Sequence, residues 1–197
     1  MNIKIGGHKV DVRLYDQFDS CVDNVGTCIP MSNLINVVKR YDSDKLHAQC
    51  SIETLLHEVL HFIDFVYCGY VFEEEVIKSV SKYLFQIFND NDLFNFPDEV
   101  KLVGFDYWVR YGHEFAGDIN KTYVDVNQIS QTISVGSKDT MCDDYVQTGL
   151  LIGILIMLNN DFVDSDVFRD GIHTFAQGLF QVMKDNKKFR KLFRWGQ

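Results

Sequence analysis

The residues best suited to chemistry are His57, Glu58 and His61, which stand in the order H-E-x-x-H within "SIETLLHEVLHFIDFVY" (51–67). At this composition chance supplies on the order of 0.01 such motifs, so the pattern is specific. Histidines at i and i+4 lie one helical turn apart on the same face. That spacing lets both imidazoles reach one Zn2+ at about 2.0–2.1 Å. Glu58 then projects beside the metal, where it can act as general base on a zinc-bound water and later return the proton to a leaving amine. The metal lowers the pKa of the water to roughly 7 and polarises a scissile carbonyl. The expected activity is that of a zinc-dependent metallopeptidase acting on a protein substrate, with "LINVV" (34–38) as the candidate exposed strand beside the helix for an extended substrate to pair with.

A catalytic zinc takes three protein ligands and leaves a further position to water. No histidine follows at metzincin spacing, because the residue six beyond His61 is Tyr67. An acidic cluster follows in "VFEEEVIKSVSKYLFQIF" (71–88). Residue 73 shares a helical stripe with Ile77, Val80, Leu84 and Ile87, so Glu73 is expected to face inward at the start of that helix. Glu75 shares its stripe with Ser79, Lys82 and Gln86 and is expected to face solvent, with Glu74 intermediate. Glu73 is therefore the expected third ligand and Glu74 the alternate. Asp64, three residues after His61, can accept a hydrogen bond behind a ligand histidine, or equally stand at the surface. Tyr67 and Tyr70 can offer hydroxyls to an oxyanion, with aromatic packing as the default. His8, His47, His113 and His173 fall outside any ligand spacing.

The elements that carry these residues recur along the chain. At an offset of 95, "LLHEVLHFID" (55–64) lies over "LLIGILIMLN" (150–159), and "YLFQIFNDN" (83–91) over "GLFQVMKDN" (178–186). Leu55, Leu56, Leu60, Ile77, Leu84, Phe85, Gln86, Asp90, Asn91 and Phe94 each meet their own kind without a gap. "IKIGGHKVDV" (3–12) is similar to "VKLVGFDYWV" (100–109), and "LINVV" (34–38) to "TISVG" (132–136), both alternating like strands. An α+β protein follows, with two tandem copies of a small unit: a short antiparallel sheet plus two main helices, over 1–96 and 97–197. In the second copy His57, Glu58, His61 and Glu73 become Ile152, Gly153, Ile156 and Phe168, whereas Glu74 and Glu75 become Arg169 and Asp170. The metal site is thus expected in the first copy alone.

The bulk composition narrows the partners. With 46% hydrophobic and 14% aromatic residues, the 197-residue chain can bury a core. Its net charge of −9 argues against a sequence-independent grip on nucleic acid, and no nucleic-acid partner is expected. Five cysteines (Cys21, Cys28, Cys50, Cys68, Cys142) without a C-x-x-C pair fit reduced thiols rather than a disulfide framework. The N-terminus lacks an apolar signal region, and the apolar run 149–158 is too short to span a bilayer. The expected setting is cytoplasmic, with no membrane partner.

"TLLHEVLHFID", the acidic helix start "FEEEV" and "YLFQIFNDN" together resemble small phage and prophage proteins related to the ImmA/IrrE-type metallopeptidases. The usual pattern there is a strand pair, a helix T-L-L-H-E-x-x-H, and a second helix that begins E-E and ends D-N. The resemblance covers roughly residues 1–95. It implies a compact gluzincin-like unit with His57, His61 and Glu73 (or Glu74) as Zn2+ ligands and Glu58 as base. It also implies a role in the host cell cytoplasm on regulatory proteins such as repressors. The second half departs from the pattern as a degenerate copy without ligands. A different class of function accompanies that departure: a zinc-containing, non-catalytic binding protein that inhibits or adapts a host protein.

Overall fold

The computed structural model describes residues 1–16, 25–41, 44–45, 48–112, 123–136 and 141–193, and the fold is α+β. Cys21, His47 and His113 lie outside the described residues. β1 (Asn2–Ile5) and β2 (His8–Tyr15) form a hairpin. Its two-residue turn, Gly6-Gly7, places both residues at positive φ, as a tight hairpin of this hand requires. β3 (Gly26–Ile29) and β4 (Leu34–Val38) complete a four-stranded sheet in the order β1-β2-β4-β3. Alternate residues Ile3, Ile5, Val10, Val12, Ile35 and Val37 are buried, giving the sheet one apolar face. A short ribbon, β5 (Arg40–Tyr41) with β6 (Asp44–Lys45), leads towards α1 (Ala48–Ile63). The helix buries Leu55, Leu56, Val59, Leu60, Phe62 and Ile63, and runs on into a π-helical turn over Asp64–Cys68. α2 (Glu74–Asp90) packs beside it.

The second half repeats this order with β7 (Glu99–Leu102), β8 (Phe105–Tyr111), β9 (Val124–Asn127) and β10 (Thr132–Val135), arranged β7-β8-β10-β9. α3 (Asp143–Leu158) and its π-helical turn (Asn159–Val163) have the bounds of α1 and its own turn displaced by 95 residues. α4 (Asp166–Asp185) ends in step with α2 but begins three residues earlier, and α5 (Lys187–Arg190) follows.

Two expectations are corrected. The sheets are mixed rather than antiparallel, because β2 pairs with β4, and β8 with β10, in parallel register. "LINVV" is not an exposed strand: β3 pairs along its outer side, so β4 lies inside the sheet and β3 forms the edge. The sequence of β3 (GTCI) is too short and too mixed to announce itself as a strand.

The halves pack reciprocally. α4 lies against β1 and the first π-helical turn, while α2 lies against β7 and the second. The Phe72 ring sits 5.2 Å from that of Phe168 and 5.5 Å from that of Phe175, and Tyr83 sits 4.7 Å from Phe162. At the end of α4, the Asn186 amide accepts from the Lys4 N–H at 2.8 Å and donates to the Lys4 carbonyl at 2.8 Å. Asn91, at the end of α2, does the same to Lys101 at 2.7 and 2.9 Å. Each asparagine thereby pairs the free edge of the other half's first strand, a usual liability of open sheets. The asparagine that ends both helices is therefore structural. The helical stretch Asp143–Val163 is long and apolar enough to cross a membrane, but 67% of its most apolar window is buried among β9, β10 and α4.

Candidate metal centre

His57 and His61 project from the same face of α1, with their Nε2 atoms 3.1 Å apart. The carboxylate that meets them comes from Glu74, the first residue of α2. Its Oε1 is 3.1 Å from His57 Nε2 and its Oε2 is 2.9 Å from His61 Nε2. Bonds of about 2.0–2.1 Å at tetrahedral angles set zinc ligand atoms roughly 3.3 Å apart, close to these separations. Among the described residues this is the one cluster of three His, Cys, Asp or Glu donors gathered so tightly.

Ser81 decides what His57 presents to that cluster. Its hydroxyl donates to the Lys78 carbonyl at 3.0 Å, so at 3.4 Å from His57 Nδ1 its oxygen accepts. In the tautomer whose Nδ1 donates to Ser81, His57 Nε2 turns a lone pair towards a carboxylate oxygen. Burial first, and His61 second, hold His57 below the ordinary imidazole range against the pull of Glu74. A neutral imidazole facing a carboxylate with its lone pair is repulsive unless a cation lies between them. The donor set therefore fits a divalent metal.

The first-choice ligand, Glu73, is not part of this group. It is the N-cap residue of α2, in extended conformation and exposed, and the alternate, Glu74, takes the place. Asp64 is the cause. Wholly buried, its carboxylate accepts the N–H groups of Val71 and Phe72, each at 3.2 Å. That holds the chain out of the helix until residue 74. Burial raises the Asp64 carboxyl above its usual range, opposed by those two N–H groups and by His61. Asp64 thus faces the field of His61, while its hydrogen bonds go to the turn. Asp64→Ala is expected to orphan both N–H groups and cost about 2–4 kcal/mol, lowering Tm by roughly 5–15 °C. Asp64→Asn is expected to cost less than half as much. Its counterpart Asn159 is also wholly buried and accepts from the Ser165 N–H at 3.1 Å. Thermal unfolding of both variants is the check.

Glu58, 6% exposed, points from α1 towards the edge strand β3. A Cβ at Gly26 would lie 2.5 Å from its Oε1, so only glycine leaves room for the carboxylate there. Burial, then the charge of Glu74, pushes the Glu58 carboxyl up to about 8. A cleft of about 730 Å³ opens between β3, α1 and α2, with His57, Glu58, His61 and Glu74 on its walls and the exposed Tyr70 at its rim. Cys28 lines it as a neutral thiol, burial pushing it up to about 12. Tyr67 packs against Gly6 and Gly178 instead. His8 bonds Asn33 at 3.0 Å and His173 lies edge-on to Tyr123, both away from the cluster.

The corresponding place in the second half is filled. Ile152 and Gly153 are buried, and a Cβ at Gly153 would lie 2.5 Å from Ile133 Cγ2 and 3.3 Å from Val124 Cγ1. Val124 pairs with Val135 as Gly26 pairs with Val37. The bulk that α1 carries as Glu58 is carried in the second half by the strand.

Comparison with protein-family models, curated proteins and solved structures finds no match. Ser81 and Gly26 went unnoticed in the sequence, although the counterpart of Ser81 is Ala176, a change of the kind seen at the ligand positions.

Proposed function

We propose that this protein is a zinc-dependent metallopeptidase acting on a protein substrate in the cytoplasm, with a site made by His57, His61, Glu74 and Glu58. The observation that carries the proposal is the convergence of two imidazole Nε2 atoms, 3.1 Å apart, with one carboxylate whose oxygens lie 3.1 Å from His57 Nε2 and 2.9 Å from His61 Nε2, beside a buried glutamate. Zinc held there supplies Lewis-acid activation of water and of a scissile carbonyl. His57, His61 and Glu74 would hold the metal, the imidazoles through Nε2, with Ser81 placed to accept from Nδ1 of His57. Glu58 takes the proton of the attacking water and passes it to the leaving amine. Among the described residues no strand pairs with the outer edge of β3 along the cleft, so an extended substrate segment can add to the sheet there. The second half is read as a degenerate copy of the same unit, supported by the matching strand orders and helix bounds. It serves as a structural partner.

Purified protein is expected to carry one equivalent of zinc and to cleave unstructured polypeptides. Cleavage is expected to vanish with a chelator and return with stoichiometric zinc. Protein that binds no metal would sink the proposal. Protein that binds zinc without hydrolysis would leave a metal-containing binding protein instead.

A further inference from the structure

Two cations on the cleft wall have no part in the chemistry above. Lys78 and Lys82 stand one and two turns along α2 from Glu74, on the face that lines the cleft. Among the described residues Lys78 has one ion pair, with Glu75 at 3.8 Å, and both side chains are at least 67% exposed, so it does little to neutralise the ammonium. Among the described residues Lys82 meets no carboxylate within 4 Å, and its ammonium lies 5.8 Å from the Tyr83 ring. Glu53, the carboxylate lining the cleft from the first turns of α1, is within 4 Å of neither lysine. In a chain of net charge −9 these are two weakly compensated cations facing one groove. The second half, whose groove is filled, has His173 and Gln177 at the matching positions.

Resting on the peptidase reading, we infer that the cleft selects polypeptide segments bearing acidic side chains, held by Lys78 and Lys82. Four residues of helix span about 6 Å, and alternate residues of an extended strand lie about 6.6 Å apart. A segment added to β3 and running alongside α2 across the shared cleft would offer side chains at the spacing of the two lysines, and the favoured pattern is Asp/Glu-x-Asp/Glu. Charge complementarity of this kind sets partner choice more than overall affinity.

The test uses matched peptides carrying Glu-x-Glu, Gln-x-Gln or Lys-x-Lys, with zinc content measured for every variant as the control for an intact site. Wild type is expected to favour the Glu-x-Glu peptide over Gln-x-Gln by on the order of tenfold in kcat/KM, the ratio shrinking as salt rises. In Lys78→Gln/Lys82→Gln the ratio is expected to fall to near one, and in Lys78→Glu/Lys82→Glu to invert in favour of Lys-x-Lys. Peptide binding to Glu58→Gln, followed by fluorescence anisotropy, is expected to rank the peptides in the same order. Hydrolysis without an acidic preference, or a preference that survives both double variants, would overturn this inference alone. Neither hydrolysis nor binding of any peptide would overturn the peptidase reading with it.

Discussion

Glu58→Gln is expected to keep its zinc and to lose peptide hydrolysis by 10²–10⁴-fold, the usual contribution of a positioned general base. The amide has the size of the carboxylate, so it fits the space that Gly26 leaves. Glu58 is not among the converging donors, which are His57, His61 and Glu74, so metal content is expected to stay at wild-type level. What the variant lacks is an atom able to take up a proton. Steady-state cleavage alongside metal analysis separates these effects. Hydrolysis at the wild-type rate would remove Glu58 from the chemistry, and loss of zinc would mean that it serves as a ligand.

The second large effect concerns two adjacent glutamates. Glu74→Ala is expected to lower zinc affinity by more than the roughly 10–100-fold that an outer hydrogen-bond partner costs. Glu73→Ala is expected to change it by less than about threefold. Glu74 brings both carboxylate oxygens to the imidazoles, whereas Glu73 is an exposed, extended N-cap residue with no side-chain capping bond. Both side chains are exposed, so neither change is expected to move Tm of the metal-free protein by more than about 2 °C. Competition titrations with a zinc-binding dye measure both affinities. The reverse ranking would put the inward stripe of the helix, rather than its true first residue, in control.

Much of the site was legible because helices advertise themselves. Four-residue spacing placed His57 and His61 on one face, and the offset of 95 marked helix bounds that the fold reproduces. Counting stripes turned Glu73 inward, where the structure leaves it exposed, because it took residue 73 to be helical. The cause lies nine residues upstream: the Asp64 carboxylate binds the N–H groups of Val71 and Phe72 and delays the helix. Side-chain-to-backbone bonds of this sort leave no periodic trace. β3 was missed for a related reason. Four residues joined to a parallel-paired neighbour show no alternation, yet this strand borders the cleft and supplies Gly26. Ser81 showed itself only as a Ser-to-Ala difference between the halves, a signal that gains meaning once His57 is seen beside it.

The two asparagine clamps have a thermodynamic consequence. Asn186 seals the edge of the strand pair that supports the histidine helix, and Asn91 seals that of the half without ligands. Neither half can open without stripping hydrogen bonds from the other, so their unfolding is linked. Any ligand bound to the native state shifts the folding equilibrium by an amount set by its concentration over Kd. Because of the clamps, stabilisation from any ligand held at His57, His61 and Glu74 would be shared with strands and helices of the other half that do not touch it.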